Sequence, residues 1–151
     1  MKKILPLMIL LITLISCTED NEDYVLKNEQ EIQVYLNENN IDAVPTGTGL
    51  YYYEVTEGEG PAATSSSTVS IRYTGYYLDG TIFDQKVEEP ITLDLDYTIE
   101  GFSEGIGLMK EGGSATLFIP SHLGYGSLPY NGIPGGSVLI FDVNLDKIVS
   151  E

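Results

Sequence analysis

Ile99-Glu100-Gly101-Phe102-Ser103-Glu104-Gly105-Ile106-Gly107-Leu108-Met109-Lys110-Glu111-Gly112-Gly113 is the stretch from which the rest of the chain is read. Its apolar residues Ile99, Phe102, Ile106 and Met109 recur at spacings of three, four and three, the signature of one helix face. Gly105 and Gly107 lie within it, and each costs about 1 kcal/mol relative to Ala in a helix interior. So short and glycine-rich a helix does not persist alone in water. Something must wrap around it. Gly112-Gly113 predicts a left-handed stop just past the last apolar residue. The sequence on both sides reads as strand and turn, so the expected architecture is a sheet curled over one short helix.

A chain of 151 residues with formal charge -16 and seven Lys+Arg has room for one well-cored domain plus extensions. The acidity argues against nucleic acid as a partner and against charge-mediated binding to anionic membrane surfaces.

The N-terminus reads as a targeting segment. Lys2-Lys3 precede an apolar run from Ile4 to Ile15, broken by Pro6 and Thr13. That run is shorter than the ~20 residues a spanning helix needs and fits the apolar core of a signal peptide. It ends at Leu14-Ile15-Ser16-Cys17, which resembles the cleavage site of bacterial lipoproteins. The resemblance implies that residues 1–16 are removed and that Cys17, the single cysteine, is lipidated. Two or more acyl chains then anchor the chain stably, where one alone is marginal. Losing Lys2 and Lys3 leaves the mature chain more acidic still, so lipid and not charge must provide the anchor. Thr18 to Asp23 read as a solvated tether, and their acidic residues resemble surface-export signals of Bacteroidetes lipoproteins.

From Asp23 to Asn39 a helix is expected, with Val25, Ile32 and Leu36 as a modest apolar stripe and Tyr24 and Tyr35 nearby. Acidic residues at its start suit the helix dipole. A spacer helix packed on the main domain is the favoured reading, with a dimerisation or substrate-cradling arm as the alternative. Val44 to Gly49 is a linker. Strands are expected at Leu50–Val55, Val69–Thr74, Thr81–Asp84, Pro90–Leu95, Ala115–Ile119 and Val138–Ile148, with Asp79-Gly80 marking a hairpin turn. Ser121 to Gly136 is a long loop, and loops of this length in compact domains are usually functional.

Few chemistries are open to this set of residues. The one histidine, His122, has no evident Ser or Cys partner, so a nucleophile–base pair is not expected. The acidic turns lack calcium-loop spacing, no glycine-rich run leads from strand to helix as phosphate-binding loops do, and no cluster has metal-ligand spacing. No metal and no cofactor are expected. What remains is an apolar lining from several strands, Tyr73, Phe83, Ile99, Phe102, Tyr125 and Phe141, with Asp84 beside Phe83. An apolar cleft with a few polar tips is a general binding-site form.

Tyr73-Thr74-Gly75 followed by Leu78-Asp79-Gly80-Thr81-x-Phe83-Asp84 resembles the first signature of FKBP-type peptidyl-prolyl cis-trans isomerases. Ile99-x-Gly101-Phe102-x-Glu104-Gly105-Ile106-x-Leu108-Met109-x-x-Gly112-Gly113 is similar to the second. Ile119-Pro120-x-x-Leu123-Gly124-Tyr125-Gly126, Ile133-Pro134 and Leu139-x-Phe141-x-Val143-x-Leu145 complete the match. It implies an α+β, FKBP-like fold over residues 49–151: a five- or six-stranded antiparallel sheet around one short helix, preceded by a tether and spacer helix over 17–48. It further implies catalytic roles for Tyr73, Asp84, Phe102 and Tyr125, and substrate contacts at Phe83, Thr98, Ile99, Ile133 and Phe141. Phe102 would be the pocket floor, where the family usually has Trp. Tyr125 would offer its hydroxyl, and Ile99 its backbone N–H, to substrate. Thr98 holds the place of a usual Val, Ile91 that of a frequent pocket aromatic, and Gly124 that of a usual Ala. Pro134-Gly135 replaces a usual Pro-Pro. The basic partner usual for the aspartate is missing, and Lys86 is the nearest substitute in sequence.

The implied activity is acceleration of Xaa-Pro bond rotation in extracytoplasmic proteins during folding. The alternative is a non-catalytic peptide-binding or chaperone module on the same fold. The partners implied are proline-containing polypeptides, the family's macrolide inhibitors and, through the lipid, a membrane. The expected location is the cell envelope, most simply the outer membrane, facing the periplasm or the surface.

Overall fold

The computed structural model describes residues 19–150, with side chains from Tyr24 onward. The signal segment and Cys17 lie outside the described residues.

Six strands form one antiparallel sheet: β1 (Val44–Pro45), β2 (Tyr51–Thr56), β3 (Thr68–Tyr76), β4 (Ile82–Asp94), β5 (Ser114–Ile119) and β6 (Leu139–Ser150). Their spatial order is β1-β2-β5-β6-β3-β4. Two helices accompany it, α1 (Glu19–Asn39) and α2 (Glu100–Ile106). Alternation of side chains along each strand divides them between two faces. Val69, Ile71 and Tyr73 of β3, Ala115, Leu117 and Ile119 of β5, and Leu139, Phe141, Val143 and Leu145 of β6 join Phe102 and Ile106 of α2 in the main core. The intervening Phe118 and Ile140 point the other way and form a second core with Ile32 and Leu36 of α1. Tyr51 reinforces that layer, its hydroxyl donating to Glu29 at 2.5 Å. The favoured reading of α1 as a helix packed on the domain therefore holds.

The central helix is tolerable because its glycines face the sheet. An ideal Cβ at Gly101 would lie 2.5 Å from Ile119 Cγ2, and one at Gly105 would lie 2.5 Å from Leu117 Cδ2. Both neighbours are fully buried. The helix rests directly on β5, and the burial of Phe102 and Ile106 offsets the weak propensity.

Four local expectations need correction. The helix does not run to Gly112-Gly113; it ends at Ile106, with Gly107 as its cap. The loop before β3 crosses there, leaving Ser65 N only 2.9 Å from where a Gly107 side chain would begin. Met109 is still buried, but through a turn, and its carbonyl accepts from Ala63 N–H at 2.9 Å. Gly112 does adopt a positive φ of 85°, within that later turn. The two stretches expected as separate strands at 81–84 and 90–95 are one strand, β4, whose register against β3 shifts between Ile71 and Tyr73. The linker at 44–49 contributes β1, paired with β2 through Val44 and Tyr52. The helix α1 begins at Glu19, four residues before the expected start at Asp23; acidic residues in a first turn favour that. The hairpin turn stands as expected, with Gly80 at φ 83° and its N–H donating to Tyr77 C=O at 2.9 Å.

Candidate active site

The pocket is built where α2 meets the open end of the sheet. Ile99 precedes the helix in extended conformation, and its carbonyl accepts the first helical hydrogen bonds from Phe102 and Ser103. This directs Phe102 inward, where it is almost fully buried. Its ring meets Phe141 of β6 at a centroid distance of 5.0 Å and Tyr73 of β3 at 5.9 Å, both edge-on. Phe83 of β4 meets Phe141 at 5.5 Å, again edge-on. Edge-to-face pairs at such distances are the favoured aromatic geometry. Gly75 makes the Phe83–Phe141 pair sterically feasible, since a Cβ there would lie 2.8 Å from both rings.

These rings line a cavity of about 860 Å³. All nine residues singled out from the sequence, Tyr73, Phe83, Asp84, Thr98, Ile99, Phe102, Tyr125, Ile133 and Phe141, lie on its wall. Ile91 does not; it packs against the main core instead. His122 is also elsewhere, its ring Nε2 3.0 Å from Thr48 C=O. Among the described residues no group of three or more His, Cys, Asp or Glu is arranged to hold a metal ion.

Polar side chains share the wall with these rings, among them Tyr73, Asp84 and Tyr125. Tyr73 donates its hydroxyl to Asp84 Oδ2 at 2.6 Å. Burial raises the Tyr73 phenol well above its ordinary range, and the bond to Asp84 and that carboxylate's charge add to the effect. Tyr125 is raised as well, first by burial and then by Tyr130 and Asp84. An ordinary phenol is already protonated at neutral pH, so Tyr125 is a donor there, while the Tyr73 proton is held by Asp84. Lys86 Nζ approaches Asp84 Oδ1 only to 4.0 Å, with both side chains about half exposed. That is a weak pairing in solvent.

Sequence reasoning missed further lining residues: Tyr77, Leu93, Tyr97, Tyr130, Asn131 and Gly132. Tyr77 packs on Phe83 at 5.0 Å, and Tyr130 stacks on Tyr125 at 5.1 Å with planes 12° apart. The usable signal was position: Tyr77 opens the Asp-Gly turn, Tyr97 directly precedes the segment entering the helix, and Tyr130 is an aromatic in the long Gly/Pro loop.

A family model described as FKBP-type peptidyl-prolyl cis-trans isomerase matches residues 60–146. The chain is 39% identical over 126 residues to a probable FKBP-type peptidyl-prolyl cis-trans isomerase FkpA of Neisseria meningitidis, covering 80% of this chain and 46% of that protein. Against FkpA of Escherichia coli, a crystal structure, the fold superimposes with TM-score 0.75 at 34% identity, covering 85% of this chain and 62% of the other. A peptidyl-prolyl cis-trans isomerase from Pseudomonas syringae gives TM-score 0.75 at 27% identity, covering 86% of this chain and 96% of the other. The chain spans about half the length of the curated relatives it matches.

Proposed function

Because the chain belongs to the FKBP-type peptidyl-prolyl cis-trans isomerase family, we propose that it accelerates cis–trans rotation of Xaa-Pro bonds in polypeptides outside the cytoplasm, held to the cell envelope by lipid on Cys17. The observation that carries the reading is the cluster of edge-packed rings, Phe102, Phe141, Phe83 and Tyr73, on the wall of one cavity that Asp84 and Tyr125 also line.

Rotation about a peptide bond faces a barrier of roughly 18–20 kcal/mol, because it breaks amide resonance. The twisted transition state is less dipolar than the planar amide. A water-poor aromatic pocket destabilises the planar dipole relative to the twisted form, and this differential binding lowers the barrier with no covalent step. Phe102 supplies the surface on which the proline ring sits. The Ile99 N–H and the protonated Tyr125 hydroxyl donate to substrate carbonyls, holding the chain bent on either side of the proline. Asp84, tied to Tyr73, keeps a carboxylate at the rim. The same apolar lining suits the family's macrolide inhibitors.

A non-catalytic peptide-binding or chaperone module is the second reading, favoured by the weak Lys86–Asp84 contact and by Phe where the family usually has Trp. A protease-coupled assay on an Xaa-Pro peptide separates the two, since binding without rate enhancement supports the module. Replacing Phe102 with Ala is expected to cost at least about tenfold in kcat/KM, ~1.4 kcal/mol of transition-state stabilisation. Core Phe→Ala changes also cost about 3–5 kcal/mol of stability. Phe102→Leu therefore serves as the fold-preserving variant and is expected to fall between Ala and wild type. Unchanged rates in both would remove Phe102 from the site.

A further inference from the structure

Helix α1 carries a polar side chain on its buried face. Asn28 lies one helical turn before Ile32 and two before Leu36, so helical spacing places it in line with the apolar stripe, and it is fully buried. Its partners are the two ends of the long loop that lines the pocket. Ser121 N–H donates to Asn28 Oδ1 at 2.9 Å, and Asn28 Nδ2 donates to Gly136 C=O at 3.0 Å. The same amide nitrogen donates to Glu31 Oε2 at 3.0 Å. Within the loop, Gly126 N–H donates to Ser121 C=O at 2.8 Å and Gly136 N–H to Gly126 C=O at 2.9 Å. Four hydrogen bonds thus close a ring through Asn28, Ser121, Gly126 and Gly136. Tyr125 is attached directly to it, and Tyr130 and Ile133 hang from the span between Gly126 and Gly136. Gly136 has φ 73° and sits under Tyr24, where a Cβ would lie 1.9 Å from Cε1.

We infer that Asn28 is a positioning residue for the pocket: by joining both ends of the 121–136 loop through one buried amide, it fixes Tyr125 at the rim, so α1 sets the geometry in which a peptide is gripped. This rests on the isomerase reading above. A carboxamide is the side chain suited to the task, since it presents an acceptor and two donors in one plane. Alanine leaves the Ser121 N–H and the Gly136 C=O without their partner, and such buried groups are costly unless the backbone moves to water. The loop would then shift, and Tyr125 with it. Aspartate keeps the acceptor but, ionised, has no donor for Gly136.

The test uses the full chain with Asn28→Ala, and with Asn28→Asp should the alanine variant fail to fold. Two readouts are needed: amide hydrogen exchange, and steady-state isomerisation of an Xaa-Pro peptide with its affinity measured by titration. Exchange at Gly126 and Gly136 is expected to accelerate by about tenfold or more, with the amides of β5 and β6 unchanged, as for a local opening. KM and the peptide Kd are expected to rise about fivefold with kcat within about twofold, the pattern of lost uniform binding. Unaltered exchange at Gly126 and Gly136 would overturn the inference. So would equal acceleration across β5 and β6, or a fall in kcat at constant KM. Absence of isomerisation by the wild-type chain would instead defeat the isomerase reading, while exchange and Kd still decide the role of Asn28.

Discussion

Replacing Gly105 with Ala tests whether the close approach of helix and sheet organises this domain. In an exposed helix interior the change is stabilising by about 1 kcal/mol. Here the new methyl group would sit 2.5 Å from Leu117 Cδ2, 2.6 Å from Cδ1 and 3.1 Å from Cγ. Leu117 is fully buried, on a strand flanked by β2 and β6, so it has no free direction in which to yield. Overpacking of this kind costs about 1–3 kcal/mol. The net expectation is a destabilisation of about 1 kcal/mol, opposite in sign to the propensity effect. The chain has no tryptophan, so urea unfolding is best followed by far-ultraviolet circular dichroism, with stability taken from the midpoint at constant slope. Leu117→Ala is the control. Alone it should cost about 2–5 kcal/mol, but it removes the atoms the methyl would strike. In that background Gly105→Ala should become stabilising, giving a coupling of about 1–3 kcal/mol in the double-mutant cycle. A stabilising effect of Gly105→Ala in the wild-type background, or additivity with Leu117→Ala, would refute the packing argument.

Ile32→Ala should destabilise the whole domain by about 2–5 kcal/mol, because Ile32 is fully buried between α1 and the sheet; loss of α1 helicity with an unchanged sheet transition would show that α1 is an independent arm. Alkaline stability follows from the tyrosines. Tyr73 and Tyr76 are raised chiefly by burial, and burial together with Glu54 pushes Tyr52 up to about 12. Above pH 10 the unfolded chain releases these protons first, so stability is full below about pH 10 and falls as pH rises toward the folded values; unfolding free energies that stay level from pH 9 to 11 would contradict this. Protease treatment of intact cells is expected to cleave the chain if the lipid faces outward and to spare it if it faces the periplasm, and replacing Cys17 with Ser is expected to release it from the membrane fraction in either case.

The architecture was legible because its signals are local. Period-two alternation in Val69–Tyr73 and Leu139–Leu145 and the Asp79-Gly80 turn each report on adjacent residues, and the ordered motifs then fixed how the strands assemble. The pocket wall was legible only through the resemblance of the ordered motifs, because strands far apart in sequence contribute it. The errors arose where distant segments decide the outcome. The end of α2 is set by Ser65 crossing Gly107, which no helical periodicity records. Tyr130 became a wall residue because it stacks on Tyr125. Asn28 was overlooked although it stands in line with Ile32 and Leu36, because a polar residue in an apolar stripe gains meaning only from its partners, 93 and 108 residues away.

Strand order has a consequence for when the domain can close. The strand that comes last in the sequence, β6, is not at an edge; it lies between β5 and β3 and joins the two halves of the sheet. Until it arrives, β3–β4 and β2–β5 have no common partner, and the faces that hold Leu117 and Ile71 remain open. Folding that waits on such long-range pairing is slow. The sheet can therefore close over α2 only when β6 is available to pair with β5 and β3 together.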